Sequence, residues 1–363
     1  MPECAAGCVR VVAALALALT CSCELSAAEQ SMSPSKASAL ASPVPAPPPA
    51  AQATALPPAA APTPPAPPEL LSGTFMLQQD ILRGLSRARL KRVRPVGSTS
   101  TVFRSELDVP FRAAFKLPTQ ARPNAALNEV AAYRLSRCLG LSNVPPAVLR
   151  RVSKAAVWQA LEPGFAERWS EIEQRLLVDR AGYVEGALIF WIDELHDLGL
   201  DSPLELTRYV EWLQLDGELP EDKAPLAQQV STLLAFDWLI GNWDRWSGGN
   251  LAGDAGGRVL YMRDNDSAFA TRIPEGLQRR MLEPMQQTQR YSRSFVKAVR
   301  ALSRESLQRE LMRDPEYAAR LTTHRALIDA QSMQALFDRR DTLLSHVAAL
   351  IDEYGEEKVL NFP

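Results

Sequence analysis

Acidic and amide side chains cluster in two short stretches in the second half of the sequence. In the first, residues 240–250, a glycine follows an apolar run, and Asp244 and Asn250 come after it. The second is Asp264-Asn265-Asp266. Phosphoryl transfer requires a carboxylate that orients the acceptor hydroxyl and oxygen ligands that hold a divalent cation. We therefore interpret Asp244 as a candidate catalytic residue, and Asp264 and Asn250 as candidate ligands of Mg²⁺ or Mn²⁺.

One lysine in the first half of the sequence lies in an apolar stretch. Lys116 stands between Phe115 and Leu117, and Glu129 follows near the start of a predicted helix. A partly buried ammonium group needs an anionic partner. A Lys–Glu pair across a strand and a helix would hold a cation against the phosphates of a nucleotide. The same pair would equally serve as a structural salt bridge.

A turn of small residues precedes this lysine. It comprises Gly97, Ser98, Thr99, Ser100 and Thr101, and its backbone N–H groups could approach a phosphate. Ordinary hairpin turns have the same composition, and the two acidic stretches also fit an Asx-rich turn and a solvated acidic loop. The order of turn, lysine, glutamate, Asp/Asn pair and final aspartate along one chain nevertheless favours nucleotide chemistry.

Strand and helix signals predict the elements that must position these residues. Strands at 93–96, 101–104 and 111–117 form a β-meander that carries Lys116. Asn124 suits the N-cap and Gly140 the end of the helix that carries Glu129. The remaining predicted elements are a helix at 74–88 and strands at 146–152, 157–161, 187–192 and 258–262.

The order of these elements predicts an α+β fold with two lobes. Residues 69–190 are expected to form a β-rich N-lobe with one key helix. From about residue 203 the sequence is mostly helical, and we assign residues 191–363 to a helical C-lobe. A cleft between the lobes would bring the candidate residues together.

The first 68 residues differ in composition from the rest. Residues 31–68 contain 13 of the 28 prolines and a single charged residue, Lys36. Because proline restricts the backbone and removes a hydrogen-bond donor, we predict a disordered Pro/Ala-rich linker over residues 29–68.

Residues 11–19 form an apolar run that is too short to span a bilayer. Arg10 precedes it and small residues follow at 26–28, so we predict a signal peptide over residues 1–28 and export of the protein. Lipidation at Cys21 or Cys23 would make it a lipoprotein, with the lipid as its membrane anchor. An unstructured cytoplasmic extension is the other alternative.

Charge and cysteine content exclude several classes of protein. The 40 basic and 42 acidic residues give a net charge of -2, and a nucleic-acid binder usually has a basic excess, so we expect no nucleic-acid partner. Beyond the first 23 residues Cys138 is the only cysteine. The folded part therefore has no internal disulfide, and a Cys/His zinc site is not expected. We expect Cys138 to be a small buried helix residue.

Several stretches resemble a known family. Glu129–Leu141, continuing through Asn143–Pro146, resembles a helix and the following segment of the secretory-pathway protein kinases typified by Four-jointed and the Golgi casein kinase. Three later stretches of this sequence resemble later blocks of that family and occur in the same order. They are Val184–Leu188, Phe236–Arg245 and Asp264–Asp266. HipA-type protein kinases and type II phosphatidylinositol kinases share the general layout. The resemblance covers roughly residues 95–270.

The resemblance implies a bilobal kinase-like fold with an ATP cleft, and transfer of the γ-phosphoryl group of ATP to a hydroxyl, most readily Ser or Thr of a protein. It implies that Lys116 contacts the phosphates, Glu129 is its helix partner and Asp244 is the catalytic aspartate. It also implies that Asp264 binds the metal. Adenine is then expected between the lobes, near residues 187–192, with Ala187 and Phe190 as contacts.

Some positions depart from the family pattern. Many relatives have Asp-Arg-His where this chain has Asp244-Arg245-Trp246, and Asn250 lies one residue later than is usual in kinases. Asp266 stands where glycine is common. Because the charged residues are retained, we predict an active enzyme. The alternatives are an exported pseudokinase that binds a nucleotide or a partner without turnover, and a lipid or small-molecule kinase.

Overall fold

The computed structural model describes residues 69–97, 101–246, 249–319 and 326–363. The predicted signal peptide and linker lie outside these residues, as do Ser98, Thr99 and Ser100. The chain divides into two compact units, and all of the described residues belong to the second, Ala59–Pro363. Within the described ranges no helix combines the length and the apolar character that crossing a membrane requires.

A five-stranded antiparallel sheet dominates the N-terminal half. Its strands are β1 (Leu90–Val96), β2 (Val102–Leu107), β3 (Arg112–Lys116), β4 (Ala147–Ser153) and β5 (Tyr183–Phe190), in the order β1-β2-β3-β5-β4. The helices of this half are α1 (Gln78–Arg87), α2 (Ala125–Cys138), α3 (Lys154–Ala160) and α4 (Trp169–Arg175). A 3₁₀ helix at Pro163–Arg168 lies between α3 and α4. The predicted β-meander is confirmed, since β1 pairs with β2 and β2 with β3.

The strand predicted at 157–161 is wrong, because these residues form most of α3 and its end. The Ser153 hydroxyl caps the helix by accepting a hydrogen bond from the backbone N–H of Ala156 at 3.1 Å. Within the helix Val157 and Ala160 are buried, and a spacing of three places both on one helical face. A short apolar run does not by itself distinguish a strand from a buried helix segment.

Helices dominate the C-terminal half. They are α5 (Pro203–Trp212), α6 (Ala224–Ile240), α7 (Glu275–Gln287), α8 (Arg293–Ala301), α9 (Arg304–Leu311), α10 (Pro315–Ala319), α11 (Ala330–Tyr354) and α12 (Glu356–Val359). A small antiparallel sheet contains β6 (His196–Asp197), β7 (Ala252–Gly253) and β8 (Leu260–Tyr261). Every residue of α6 from Val230 to Ile240 is buried, which explains why most of that stretch is apolar on all sides of the helix.

Helix α2 packs with the helical half as well as with the sheet. Its apolar residues belong to the same core cluster as those of α6, α8 and α11, whereas a second cluster covers the sheet together with α1, α3 and α4. Arg137 Nε donates to Glu310 Oε1 of α9 at 2.9 Å, and Arg134 Nη1 donates to the same oxygen at 3.5 Å. These buried pairs attach α2 to the C-terminal helices.

Cys138 ends α2, as the helix prediction implied, and it has no disulfide partner among the described residues. It is partly buried, and burial raises the pKa of its thiol to about 12. The thiol is therefore protonated near neutral pH, which suits a packing role.

Gly186 of β5 lies where two strands approach closely. A Cβ added there would be 2.6 Å from Leu117 Cδ2 and Phe115 Cε2, and 2.8 Å from the carbonyl oxygen of Lys116. Gly186→Ala should therefore push β5 from β3 and lower the free energy of unfolding by about 1–3 kcal/mol, as overpacking does. Urea denaturation followed by circular dichroism measures this change in the free energy of unfolding.

Gly276→Ala in α7 is the matched control, because nothing lies within 4 Å of its added Cβ. Alanine favours helix by up to about 1 kcal/mol over glycine, so this variant should be unchanged or slightly more stable. Equal unfolding midpoints for the two variants would contradict the close packing at Gly186.

Candidate active site

Lys116, the last residue of β3, is the centre of a buried charge cluster. Its Nζ donates to Glu129 Oε1 at 2.6 Å, to Asp264 Oδ1 at 2.8 Å and to Asp266 Oδ2 at 3.1 Å. Only 2% of the lysine side chain is exposed. Burial disfavours its charge, but the three carboxylates outweigh this and raise the pKa of Lys116. The ammonium group is therefore charged and fully surrounded.

Glu129 reaches Lys116 from α2, near the start of the helix, and is itself buried. Burial raises the pKa of this carboxyl, Lys116 lowers it, and the neighbouring Asp264 and Asp266 raise it further. The net direction is upward. The predicted Lys116–Glu129 pair is thus present, as one part of a larger cluster.

Asp264 follows β8 and adopts a left-handed backbone conformation with φ 57°. Asp tolerates this region better than most residues, and the side-chain amide of Asn242 donates to the Asp264 carbonyl at 3.2 Å. One carboxylate oxygen accepts from Lys116 and the other accepts from Arg263 Nη1 at 2.8 Å. Lys116 above all, opposed by burial and assisted by Arg263, holds the pKa of Asp264 well below its usual range.

Asp266 connects Lys116 to a second cation. Arg122 Nη1 lies 3.1 Å from both carboxylate oxygens of Asp266. The Asn128 side-chain amide donates to the Asp266 carbonyl at 2.7 Å and so fixes the loop against α2. With Arg122 and Arg263, three cations face the three carboxylates around Lys116. The buried charges of the cluster are therefore balanced.

The loop after α6 carries Asp244. The helix ends at Gly241, whose φ of 64° suits glycine, and Asn242 N–H donates back to the Asp237 carbonyl at 3.0 Å. The Asn250 side-chain amide donates to the Asp244 carbonyl at 3.0 Å. This contact joins the two ends of the loop, so that Asp244 and Asn250 lie together.

Arg245 ties this loop to its neighbours and is completely buried. Its Nε lies 3.0 Å from Asp237 Oδ2 of α6, and its Nη2 donates to Asn265 Oδ1 at 2.7 Å. A further contact joins Nη1 to the Arg263 carbonyl. Burial raises the pKa of Asp237, and Arg245 opposes that effect. One side chain thus links α6, the Asp244 loop and the Asp264 loop.

The candidate residues line one cavity of about 630 Å³, a usual size for a ligand site. Its charged end contains Lys116, Glu129, Asp244, Asn250 and Asp264, with Arg122, Arg263 and Asp266 beside them. Its apolar end is lined by side chains from β1, β2, β3 and the end of β5 with the residues that follow it. Among these are Val96, Val102, Ala114, Ile189, Phe190 and Trp191.

Four of the predicted cofactor contacts lie within the described residues. Gly97, Lys116 and Phe190 line the cavity. Ala187 does not: it is fully buried and pairs with Lys116 of β3 and Leu149 of β4 in the middle of the sheet. Of the stretch 187–192 expected near adenine, the last four residues, from Ile189 to Ile192, line the cavity.

Sequence reasoning did not identify Arg122, Arg245 or Arg263 as parts of the site. The signal for Arg245 was Asp237, a lone carboxylate within the apolar stretch Phe236–Ile240. Such a buried charge requires a cationic partner. For Arg122 and Arg263 the sequence carries no comparable signal, because arginines in polar loops are usually solvated.

The donor set at the charged end fits a hard divalent cation. The described residues contain no group of three or more His, Cys, Asp and Glu side chains that could hold a metal ion. Mg²⁺ in nucleotide sites is nevertheless bound by one or two protein oxygens together with phosphates. Asp264 and Asn250, which both line the cavity, supply a carboxylate and an amide oxygen of that kind.

Residues 119–252 match the family model of the Four-jointed box protein middle domain. The predicted resemblance to the Four-jointed and Golgi casein kinase group is therefore confirmed. This match includes Glu129, Asp244 and Asn250, whereas Lys116 and Asp264 lie on either side of it. A search of curated protein sequences gave no match to the chain.

Solved structures show the same architecture. Fam20 from hydra, solved with sugar, has a TM-score of 0.59 at 20% identity and covers 79% of this chain and 93% of its own. The Golgi casein kinase has a TM-score of 0.57 at 15% identity, covering 79% and 80%. Its structure with Mn and ADP bound gives 0.57 at 14%, covering 78% of each chain. The predicted α+β kinase-like fold is confirmed.

The Asp237–Arg245 pair predicts a large effect on stability. Arg245→Met should lower the free energy of unfolding by about 3–5 kcal/mol, because it leaves a buried carboxylate without its cation. Asp237→Asn combined with Arg245→Met should recover part of this loss, since no unpaired charge remains. Urea denaturation of both single variants and the double variant gives the coupling energy.

The control is Arg258→Met, because Arg258 pairs with Asp254 while 84% of its side chain is exposed. Exposed pairs contribute about 1 kcal/mol or less. If Arg245→Met were no more destabilising than Arg258→Met, the structural role of the buried pair would be wrong.

Proposed function

We propose that this protein is a metal-dependent phosphotransferase that moves the γ-phosphoryl group of ATP to a hydroxyl, with Ser or Thr of a protein as the acceptor. One observation carries the proposal. The buried ammonium group of Lys116 contacts Glu129 and Asp264 at the charged end of a cavity that Asp244 also lines. Positioning and charge neutralisation of this kind supply most of the catalysis in phosphoryl transfer.

Lys116 would bind the nucleotide phosphates, which requires a change in its present contacts. An ammonium group has three N–H donors, and three carboxylates now accept from it. One carboxylate must therefore yield to a phosphate oxygen. Asp264 is best placed to do so, because 36% of its side chain is exposed, against 4% for Glu129 and 6% for Asp266.

Asp244 would accept a hydrogen bond from the acceptor hydroxyl and orient its oxygen towards the γ-phosphorus. The Asn250 amide restrains the backbone of Asp244, which keeps the carboxylate at the cavity wall. Adenine would occupy the apolar end beside Ile189 and Phe190. This arrangement separates the base from the reacting phosphate by the length of the cavity.

A divalent cation bound by Asp264 and Asn250 would neutralise charge on the transferring phosphates. The Golgi casein kinase, solved with Mn and ADP, supports a nucleotide and a metal in a site on this fold. The description of that neighbour as a casein kinase supports a protein acceptor. A lipid or small-molecule hydroxyl is the alternative acceptor on the same core.

Replacement of either candidate aspartate should slow transfer strongly. Asp244→Asn and Asp264→Asn should each lower the transfer rate about 100-fold or more, because one loses the group that orients the hydroxyl and the other a metal ligand. The measurement is transfer of labelled γ-phosphate from ATP with Mn²⁺ to casein, to the protein itself and to lipid vesicles. Circular dichroism checks that each variant is folded.

Asp222→Asn is the control, because 73% of this side chain is exposed and it lies outside the cavity. It should transfer phosphate at the wild-type rate. Unchanged transfer in Asp244→Asn would exclude the proposed role of that residue. Nucleotide binding by the wild type without transfer to any acceptor would identify a pseudokinase.

We further propose export, on the basis of the short apolar run at residues 11–19. Residues 1–28 fused to a reporter enzyme that is active only outside the cytoplasm should give activity, and residues 29–68 fused alone should not. Retention of the 1–28 fusion in the cytoplasm would contradict this part of the proposal.

A further inference from the structure

Arg122 lies in the loop between β3 and α2 and reaches the charged end of the cavity. Its backbone N–H donates to the Thr119 hydroxyl at 3.1 Å, and 35% of its side chain is exposed. The side chain therefore lines the cavity wall while its backbone is restrained. Lys116 makes no hydrogen bond with Arg122, so the contacts of Lys116 do not explain why Arg122 lies at the cavity.

The guanidinium group of Arg122 is only partly committed. Within the described part of the chain its side-chain hydrogen bonds all come from Nη1, and both go to Asp266. A guanidinium group has five N–H donors, so those on Nε and Nη2 remain for a ligand. The position of Arg122 at the cavity wall makes a ligand in the cavity the natural acceptor.

The two other cations of the cluster are more fully occupied. Lys116 donates to three carboxylates. Arg263 donates to the Asp264 carboxylate and to the Gly249 carbonyl, and its Nε is buried without a partner among the described residues. Arg122 is thus the cation best able to bind an anion without losing an existing contact.

Asp266 is placed to hold Arg122 in this position. Only 6% of its side chain is exposed, and both of its oxygens contact Arg122 Nη1. Its own position is restrained by Lys116 and by the Asn128 amide, which donates to the Asp266 carbonyl. A rigid carboxylate therefore anchors one nitrogen of Arg122 and leaves the rest of the group facing the cavity.

We propose that Arg122 is a second phosphate-binding residue of this site and that Asp266 is the residue that positions it. The inference rests on the proposed function, because it takes the anion in the cavity to be a nucleoside polyphosphate. A planar guanidinium group matches phosphate oxygens through two parallel hydrogen bonds. Arg122 should therefore contribute to the affinity for the phosphates and not to the affinity for the nucleoside.

The test is the affinity of the full-length protein for ATP and for adenosine, measured by calorimetry with Mg²⁺ present. Arg122→Met should weaken ATP binding about 10- to 100-fold, as expected when a hydrogen bond to a charged group is lost. Adenosine binding should change less than about threefold. Arg122→Lys should lie between wild type and Arg122→Met for ATP, because lysine keeps the charge without the paired donors.

Asp266→Asn separates positioning from simple electrostatics. Removal of a negative charge from the cavity should by itself strengthen the binding of an anion. If Asp266 positions Arg122, the variant should instead bind ATP more weakly, while adenosine binding is unchanged. Tighter binding of ATP by Asp266→Asn would overturn the positioning role.

Arg151→Met is the matched control, because Arg151 has 34% side-chain exposure, contacts Asp179 at 2.6 Å and lies outside the cavity. It should bind both ligands as the wild type does. ATP affinity in Arg122→Met equal to that of Arg151→Met would overturn the phosphate-binding role. Failure of the nucleotide-binding part of the proposed function gives a different result, in which the folded wild-type protein does not bind ATP at all, and failure of transfer alone is seen in the labelled-phosphate assay while ATP binding and its dependence on Arg122 remain.

Discussion

The buried ammonium group of Lys116 is the constraint on which the rest of the site depends. A charge removed from water must be paired, and Lys116 finds its partners in Glu129 of α2 and in Asp264 and Asp266 after β8. Lys116 comes from the sheet, and its partners come from a helix and a loop, so that all three elements border the cavity. The balance of this charge therefore requires the three elements to meet at one point.

The elements that meet there are held from outside the cavity. Helix α2 shares the core of the C-terminal helices and pairs with α9 through Arg134 and Arg137. Arg245, fully buried, holds the Asp244 loop against α6 and the Asp264 loop. Because these supports are contacts within the chain itself, they hold most of the donors and acceptors of the site in place, and only Lys116 would have to exchange a carboxylate for a phosphate oxygen. Such preorganisation is the main source of electrostatic stabilisation in catalysis.

Local patterns predicted much of the fold and part of the site. The strands β1, β2 and β3, helix α2 and the glycine at the end of α6 follow from alternation, helical periodicity and glycine preference, which act over neighbouring residues. The same patterns failed at α3, because the apolar residues around Val157 fit either a strand or a helix. The Ser153 cap and the buried face formed by Val157 and Ala160 stabilise the helix there. The contact expected at Ala187 came from the family resemblance, and β5 lines the cavity only with its last residues, Ile189 and Phe190.

The sequence by itself determined which charged residues are available, since Lys116 in an apolar strand and the acidic stretches around Asp244 and Asp264 can be recognised from residue type and neighbours. Only the tertiary structure decided which charges pair. Arg122 pairs with Asp266, which is 144 residues away in the sequence. Arg245 contacts the carbonyl of Arg263, which is 18 residues away. Both contacts form because the packing of α2 and α6 brings these loops together. The physical reason is that burial makes a partner obligatory for each charge, whereas the choice of partner depends on which loops the fold brings within hydrogen-bond distance.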